Sequence, residues 1–255
     1  MVNAIVLAGT DQEKDKLIYG RNKALLEING HCIVEYVVDA LKNSKNIDDI
    51  TLIGPKTELE ARMNGCAIVQ ENSSFLGNCL SAYEEARKKS NAERVFFSCC
   101  DIPLITPAAI DDFFDKCNSI KADFYFPIVS KETMKNYSEL KKPYMHLIEG
   151  DYRPGYFAVV NGDKIKNKKL IEKAFNARKL SKFVSNARLA MLIGPAFILR
   201  YYVARDVSLK DVENLVSSKM GLDFKFVESK YPEASLEIDE EKDYLFLNQH
   251  QLYVY

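Results

Sequence analysis

The sequence predicts an α/β fold in which a mostly parallel, mixed sheet is covered by helices on both faces. Short apolar runs typical of strands alternate with amphipathic runs typical of helices over roughly the first half of the chain. This alternation indicates a parallel sheet, because a parallel strand is reached through a crossover that is usually a helix. The chain has 255 residues, enough for one large α/β domain.

The predicted elements follow one another at short intervals. The predicted strands span residues 2–8, 50–53, 67–69, 95–100, 124–129, 153–160 and 224–227. The predicted helices span residues 33–41, 57–63, 76–89, 107–117, 207–219 and 240–248. Apolar residues repeat with helical spacing in the first helix, and Thr106 supplies an N-cap before Pro107 in the fourth. The helix at 76–89 ends in a basic turn, which suits its dipole.

Composition narrows the classes of partner. The formal net charge is −1, so electrostatics gives no global reason to expect nucleic-acid binding. No apolar run reaches the ~20 residues that span a bilayer, and the short apolar start lacks the basic lead of a signal peptide. We therefore expect a cytoplasmic protein without stable membrane insertion. The six cysteines form no Cys-x-x-Cys pair, which predicts reduced thiols.

The N-terminal strand leads into a loop suited to a nucleotide. An apolar run from Val2 ends in Ala8-Gly9, a polar loop follows, and Lys23 comes directly after that loop. Gly9 lets the backbone approach a base or sugar closely, and Lys23 can meet phosphate charge. Short Gly-containing loops are common, so this segment also fits an ordinary strand, a surface loop and a solvated lysine.

A second strand carries an acid at its end. The buried-looking run at 94–100 is followed by Asp101-Ile102-Pro103. In open α/β sheets, ligands bind beyond the carboxyl ends of the strands. A carboxylate there is a natural ligand for Mg²⁺, which uses one or two protein carboxylates plus substrate phosphates. Pro103 cannot extend a central strand and so marks where this one ends. Alone, such an Asp is usually a turn or cap residue; with the N-terminal loop it indicates a nucleotide site.

Together these segments resemble the sugar-phosphate and cofactor nucleotidyltransferases, and most of all the molybdenum-cofactor guanylyltransferase-like (MobA-like) group. The resemblance covers most of the chain and is weakest between about residues 130 and 208. The matching segments are Leu7-Ala8-Gly9, Asn22-Lys23-Ala24-Leu25-Leu26, Asn29-Gly30, Gly77-Asn78, Cys100-Asp101-Ile102-Pro103-Leu104, Tyr231-Pro232-Glu233 and Glu237-Ile238-Asp239. The Gly-x-x-x-x-Gly-Lys-Ser/Thr and Gly-x-Gly-x-x-Gly motifs do not occur.

The resemblance implies a three-layer nucleotide-binding sandwich of GT-A-like, Rossmann-like type. It implies a transferase that moves a nucleoside monophosphate from a nucleoside triphosphate to a small phosphorylated acceptor and releases pyrophosphate. Mg²⁺ would be the cofactor, with Asp101 and Asp239 as ligands and Lys23 as a third catalytic residue that neutralises phosphate charge. The nucleotide-binding residues would be Leu7, Ala8, Gly9, Thr10, Arg21, Lys23, Gly77 and Asn78.

The N-terminal loop departs from the family pattern. Thr10 stands where the family has a second Gly, and the loop is longer than usual, with three acids. The family's loop Arg has no clear counterpart, and Lys14, Lys16 and Arg21 are all candidates. Two alternatives stay open: a catalytically silent nucleotide-binding module, and a glycosyltransferase that uses a nucleotide-sugar. The base, the oligomeric state and the acceptor also stay open; the acceptor could be a molybdopterin, a sugar phosphate, a polyol phosphate or a lipid-linked phosphate.

The middle of the chain differs from the rest in composition, with successive polar, basic and apolar stretches. Residues 131–146 are polar and predict a loop or lid. Residues 163–182 are strongly basic, which is typical of a solvated helix face and also suits an anionic acceptor. Residues 189–203 are almost all apolar around Gly194-Pro195 and predict two short buried helices, an acceptor pocket or a subunit contact. We predict one domain over residues 1–255, with a helical insertion at about 130–208 on the acceptor side. Lys168, Lys169 and Lys173 would attract the acceptor.

Overall fold

The computed structural model describes residues 1–9, 17–89, 93–137, 142–165 and 193–248. The strands are β1 (Val2–Leu7), β2 (Leu17–Ile18), β3 (Arg21–Asn22), β4 (Glu27–Ile28), β5 (His31–Cys32), β6 (Ile47–Gly54), β7 (Ala67–Gln70), β8 (Val95–Cys99), β9 (Phe124–Ser130), β10 (Met145–Leu147), β11 (Gly150–Pro154), β12 (Phe157–Val160) and β13 (Phe224–Glu228). The α-helices are α1 (Ile33–Lys42), α2 (Lys56–Glu60), α3 (Phe75–Lys89), α4 (Pro107–Ser119), α5 (Pro195–Leu199), α6 (Leu209–Met220) and α7 (Glu241–Asn248).

One large mixed sheet runs through the part of the chain that the structure describes, which also contains two two-stranded sheets, β2-β3 and β4-β5. Nine of the described strands form the large sheet, in the order β10-β11-β9-β12-β8-β1-β6-β7, with β13 paired to β9. β1 is parallel to β6 and β8, and β6 is parallel to β7. β12 runs antiparallel to β8 and to β9, so the carboxyl ends of β8 and β9 lie at the same edge. The predicted α/β class with a mixed sheet and a mostly parallel core is confirmed.

Helices cover both faces of this sheet. Along β1, Ala4 and Val6 pack into one hydrophobic core with α1 and α4, whereas Ile5 packs into another core with α3. This division follows from the strand geometry, because successive side chains point to opposite faces. Thr106 caps α4 as predicted, its side-chain oxygen accepting from the backbone N–H of Ala109. No described helix combines the length and apolar character that crossing a membrane requires.

The predicted strand at 153–160 is wrong in one respect, because it is divided between β11 and β12. Gly155 lies at the division and donates its backbone N–H to the oxygen of Pro127 at 2.8 Å. A Cβ at Gly155 would lie 2.6 Å from Cγ of Pro127 and 2.8 Å from the backbone oxygen of Ala234. Only glycine therefore fits at this break between β11 and β12, which both pair with β9.

The apolar stretch around Gly194 also differs from its prediction. Two short helical segments occur, α5 and a π-helical turn over Arg200–Ala204. Neither contains a buried residue, and Leu199, Tyr202 and Val203 are exposed. The prediction that these helices are buried is therefore wrong for residues 193–203, whose Tyr201 hydroxyl accepts a hydrogen bond from the backbone N–H of His146 in β10 at 3.1 Å. Residues 189–192 lie outside the described residues.

Candidate active site

The ends of β1 and β8 meet at one edge of the sheet. Leu7, the last residue of β1, is paired in register with Cys99, the last residue of β8. Ala8-Gly9 and Cys100-Asp101 therefore leave the sheet side by side, at the edge where open α/β sheets bind ligands. Ala8 is fully buried, backbone as well as side chain.

A single helical turn places Lys23 at this edge. The turn spans Lys23–Leu25, and Asn22 caps it by accepting from the backbone N–H of Ala24 at 2.9 Å. The same Asn22 side chain donates to the backbone oxygen of Ala8 at 2.8 Å. Asn22 thus ties the turn to the end of β1, and the nearly buried Lys23 points back toward the strand ends.

Lys23 lies between two carboxylates that come from distant parts of the chain. Its Nζ is 2.9 Å from Oδ1 of Asp239 and 3.6 Å from Oδ2 of Asp101. The segment that carries Asp239 is attached to the end of β8, because Ile238 donates its backbone N–H to the oxygen of Asp101 at 2.8 Å. The structure therefore brings together the three residues that the sequence singled out as catalytic.

Burial and the neighbouring charges shift the pKa values of all three residues. Burial raises the pKa of Asp101, and the nearby Lys23 opposes this rise without cancelling it. Burial would also raise the pKa of Asp239, but Lys23 and Lys142 outweigh it, so the pKa is lowered. Burial would lower the pKa of Lys23, yet Asp101 and Asp239 raise it above its usual value. Lys23 is therefore an ammonium ion that compensates the two acids.

A second lysine, which sequence reasoning missed, reaches the cluster from the other side. Nζ of Lys142 lies 2.9 Å from Oδ2 of Asp243, 3.7 Å from Oδ2 of Asp239 and 4.0 Å from Oε1 of Glu237. Asp243 also accepts the backbone N–H groups of Asp239 and Glu240, and so organises the turn before α7. Lys142 follows a polar stretch with several lysines, and no local pattern distinguishes it from them.

Glu237 and Tyr156 complete the acidic side of the cluster. The hydroxyl of Tyr156 interacts with the carboxylate of Glu237, and burial raises the pKa of Tyr156. Burial, with Asp101 nearby, raises the pKa of Glu237 to about 7. Glu237 lay inside the matching C-terminal segment but carried no assigned role. Its position two residues before Asp239 is the sequence feature that could have identified it as a site residue.

The other side of the cluster contains the residues predicted to frame a nucleotide. A Cβ at Gly9 would lie 2.7 Å from Oε2 of Glu71 and 3.0 Å from Nδ2 of Asn78. Asn78 is buried at the start of α3, and its Oδ1 accepts the backbone N–H of Asn72 at 2.5 Å. Gly9 and Asn78 are therefore brought together, beside a glutamate that the sequence did not single out.

Of the other residues predicted to contact the nucleotide, two are described by the structure and three are not. Gly77 precedes Asn78 in α3 and donates its backbone N–H to Oγ of Ser74 at 3.0 Å. Arg21 is exposed on β3 and lines a pocket of about 530 Å³ together with Asn22 and Glu71. Three predicted phosphate-loop residues lie outside the described residues. They are Thr10, Lys14 and Lys16.

The basic segment proposed to receive the acceptor is only partly described. Asp163 follows β12, which runs antiparallel to β8, and so it lies at the sheet edge opposite Asp101. There it pairs with Arg87 near the end of α3, with Nη1 3.2 Å from Oδ2. Lys168, Lys169 and Lys173 lie outside the described residues.

A lysine between two acids lies where the parallel strands β1 and β8 end, the place at which open α/β sheets bind ligands. Residues 4–182 match the family model of the MobA-like NTP transferase domain, and the chain belongs to this family. It is therefore a transferase of the nucleotidyltransferase class. A comparison with curated protein sequences gives no match.

Solved structures of the same architecture are similar over nearly the whole chain. A hypothetical transferase from Thermus thermophilus is 25% identical, with a TM-score of 0.77 over 95% of this chain and 98% of that one. A CMP:2-keto-3-deoxy-manno-octonic acid synthetase solved with CTP is 10% identical, with a TM-score of 0.61 over 97% and 96%. The 4-diphosphocytidyl-2C-methyl-D-erythritol synthase of Anaerococcus prevotii is 16% identical, with a TM-score of 0.52 over 97% and 94%. The last two likenesses concern the fold.

Proposed function

We propose that the protein catalyses a Mg²⁺-dependent transfer of a nucleoside monophosphate from a nucleoside triphosphate to a phosphorylated acceptor, with release of pyrophosphate. The observation that carries this proposal is the cluster of Lys23, Asp101 and Asp239 at the ends of β1 and β8. A phosphoryl-transfer site needs positioning and charge neutralisation more than a protein nucleophile, and this cluster offers both.

Two features of these acids support the proposed magnesium site. Oδ1 of Asp101 is buried and accepts no hydrogen bond from the described residues, which leaves a hard oxygen available. The side chain of Asp239 is 53% exposed and faces the same ammonium group. Mg²⁺ is commonly held by one or two carboxylates, with water and substrate phosphates completing the octahedron. Asp101 and Asp239 would hold the ion, which when bound would neutralise charge on the reacting phosphates.

The chain's own residues would position the triphosphate. Gly9, Gly77 and Asn78 would lie against the base and ribose, and Arg21 would approach from β3. Lys23 would exchange its carboxylate contacts for the triphosphate oxygens. An acceptor phosphate oxygen would attack the α-phosphorus: the new O–P bond forms, the bond to the β-phosphate oxygen breaks, and pyrophosphate leaves with the electron pair.

The test is an assay of pyrophosphate release over the four common nucleoside triphosphates, with and without Mg²⁺. The acceptors are a sugar phosphate, a polyol phosphate, a molybdopterin and a lipid-linked phosphate. We expect release that needs both Mg²⁺ and one class of acceptor. Mg²⁺-dependent thermal stabilisation by a triphosphate, with no release on any acceptor, would instead indicate a silent binding module. Turnover of a nucleotide-sugar alone would indicate a glycosyltransferase.

A further inference from the structure

A large pocket opens on the side of the cluster that faces away from Gly9 and Asn78. Its volume is about 1130 Å³, and it is lined by the end of β9, the loop after it, residues 142–144 and β11. In the sheet order, β9 lies two strands from β8 on one side and β6 lies two strands from β8 on the other. The cluster of Lys23, Asp101 and Asp239 therefore lies between this pocket and the predicted nucleotide-binding residues Gly9 and Asn78.

We propose that this pocket receives the acceptor and that Lys142 binds the acceptor's phosphate, an inference that rests on the proposed function. Lys142 lines the pocket and also reaches the cluster, with Nζ 3.7 Å from Oδ2 of Asp239. The other oxygen of Asp239 lies 2.9 Å from Nζ of Lys23. Asp239 thus stands between one ammonium group on the triphosphate side and another on the pocket side. A phosphate held by Lys142 would be adjacent to the reacting α-phosphate.

The position of Lys142 is set by the wall of the pocket. The backbone oxygen of Lys142 accepts a hydrogen bond from Nη2 of Arg153 at 3.1 Å. The guanidinium of Arg153 lies over the ring of Tyr144, 4.4 Å from its centroid. The Lys142 side chain is only 15% exposed, so it has little freedom to move away from the cluster. A compact ammonium ion held in this way is a suitable ligand for a phosphate.

The other charges of the pocket indicate the class of acceptor. Lys131 pairs with Asp151 at 2.9 Å, and Lys135 pairs with Glu132 at 2.9 Å. These two rim lysines are already compensated by acids, which disfavours a polyanion. The carboxylates can accept hydrogen bonds from hydroxyl groups, and Tyr144 offers an apolar face. We assign the pocket to a small phosphate monoester whose body carries hydroxyl groups.

A purely structural role for Lys142 makes a different prediction. Asp243, its partner at 2.9 Å, is 1% exposed, and removal of the lysine would leave a buried carboxylate without its cation. Loss of binding in Lys142→Met could then follow from disorder in the turn before α7. The double variant Lys142→Met/Asp243→Asn separates the structural role from the phosphate-binding role. Its Asn removes the buried charge and keeps an oxygen that can accept the backbone N–H groups.

The experiment is calorimetric titration of protein saturated with Mg²⁺ and the α,β-methylene analogue of the triphosphate that binds best. The probes are glycerol 1-phosphate, inorganic phosphate and glycerol. We expect glycerol 1-phosphate to bind more tightly than phosphate, and glycerol not to bind. Lys142→Met and the double variant should both weaken phosphate-ester binding about ten- to hundredfold, as one charged hydrogen bond predicts. Affinity for the triphosphate analogue should change much less than affinity for the phosphate ester.

The matched control is Lys225→Met. Lys225 pairs with Glu213 at 2.9 Å, and Glu213 also accepts a backbone N–H, from Phe226, so the ion pair is of the same kind but lies away from the cluster. This variant should bind glycerol 1-phosphate normally. Unchanged affinity in Lys142→Met, or recovery in the double variant, would overturn the role of Lys142. Equal binding of phosphate and glycerol 1-phosphate would overturn the assigned class. Failure of the analogue to bind at all would count against the proposed function itself.

Discussion

Nζ of Lys23 lies 2.9 Å from Oδ1 of Asp239, although 216 positions separate the two residues in the chain. Lys23 directly follows β3, whereas Asp239 lies just before α7, so the contact joins an N-terminal segment to a C-terminal one. It makes Lys23 the cation that compensates the acids when no triphosphate is bound. We therefore expect triphosphate binding to rearrange this ion pair.

Asp101→Asn and Asp239→Asn should each remove most of the Mg²⁺-dependent activity and leave the protein folded. Each change removes one charged oxygen ligand, and loss of one preorganised charge contact commonly costs about 2.7–4 kcal/mol, or a hundred- to thousandfold in rate. The measurement is kcat for pyrophosphate release, with thermal unfolding of each variant alongside. Asp115→Asn is the control, since Asp115 forms an exposed ion pair with Lys45. Full activity in either site variant would exclude that residue as a metal ligand.

Lys23→Ala should weaken triphosphate binding far more than nucleoside binding. The ammonium group would meet only the phosphates, so a nucleoside without them should lose little. Calorimetric dissociation constants for a nucleoside and its triphosphate provide the comparison. Arg21→Ala is the companion variant, because Arg21, exposed on β3, is the other described cation proposed to approach the triphosphate. Equal, small losses for both ligands would make Lys23 a structural counter-ion of Asp101 and Asp239.

Gly9→Ala should impair nucleotide binding more than stability. The added Cβ would lie 2.7 Å from Oε2 of Glu71, the far end of a flexible side chain that can move aside, and 3.0 Å from Nδ2 of Asn78, which is held in a buried position. Folding should tolerate this change, whereas the surface offered to the base would be altered. Triphosphate affinity and urea denaturation should be measured together. A loss of stability with unchanged affinity would make Gly9 a packing residue only.

Asp211→Asn should destabilise the protein at neutral pH and have a smaller effect in acid. Arg200 and Ser208 hold the pKa of the Asp211 carboxyl well below its usual range. A carboxylate whose folded-state pKa is depressed contributes its full stability above its unfolded pKa of about 3.9, and this stability is lost as the pH falls from that value through the folded-state pKa. The difference between the free energies of unfolding of wild type and variant should therefore be largest at pH 7, shrink as the pH falls below about 4, and vanish only below the folded-state pKa. A difference independent of pH would point to lost helix capping alone.

Much of the fold could be predicted because its signals are local. The alternation of short apolar runs with amphipathic ones identified β1, β8 and α3 near their observed bounds, and Thr106 marked the start of α4. Asp101 could be placed at a strand end because Pro103 stops the strand two residues later. The division of β11 from β12 could not be predicted, because Gly155 contacts Pro127 and Ala234, which lie far away in sequence.

By itself, the sequence determined the fold class and the family, and it predicted Lys23, Asp101 and Asp239 as site residues, because each of the three lies in a recognisable run of neighbouring residues. Only the tertiary structure decided which other side chains join them. Lys142 meets Asp243 across 101 positions, and Glu71 approaches Gly9 because β7 is joined to β1 through β6. Such contacts depend on the order of strands in the sheet. That order is set by packing between distant segments, and local spacing in the chain does not encode it.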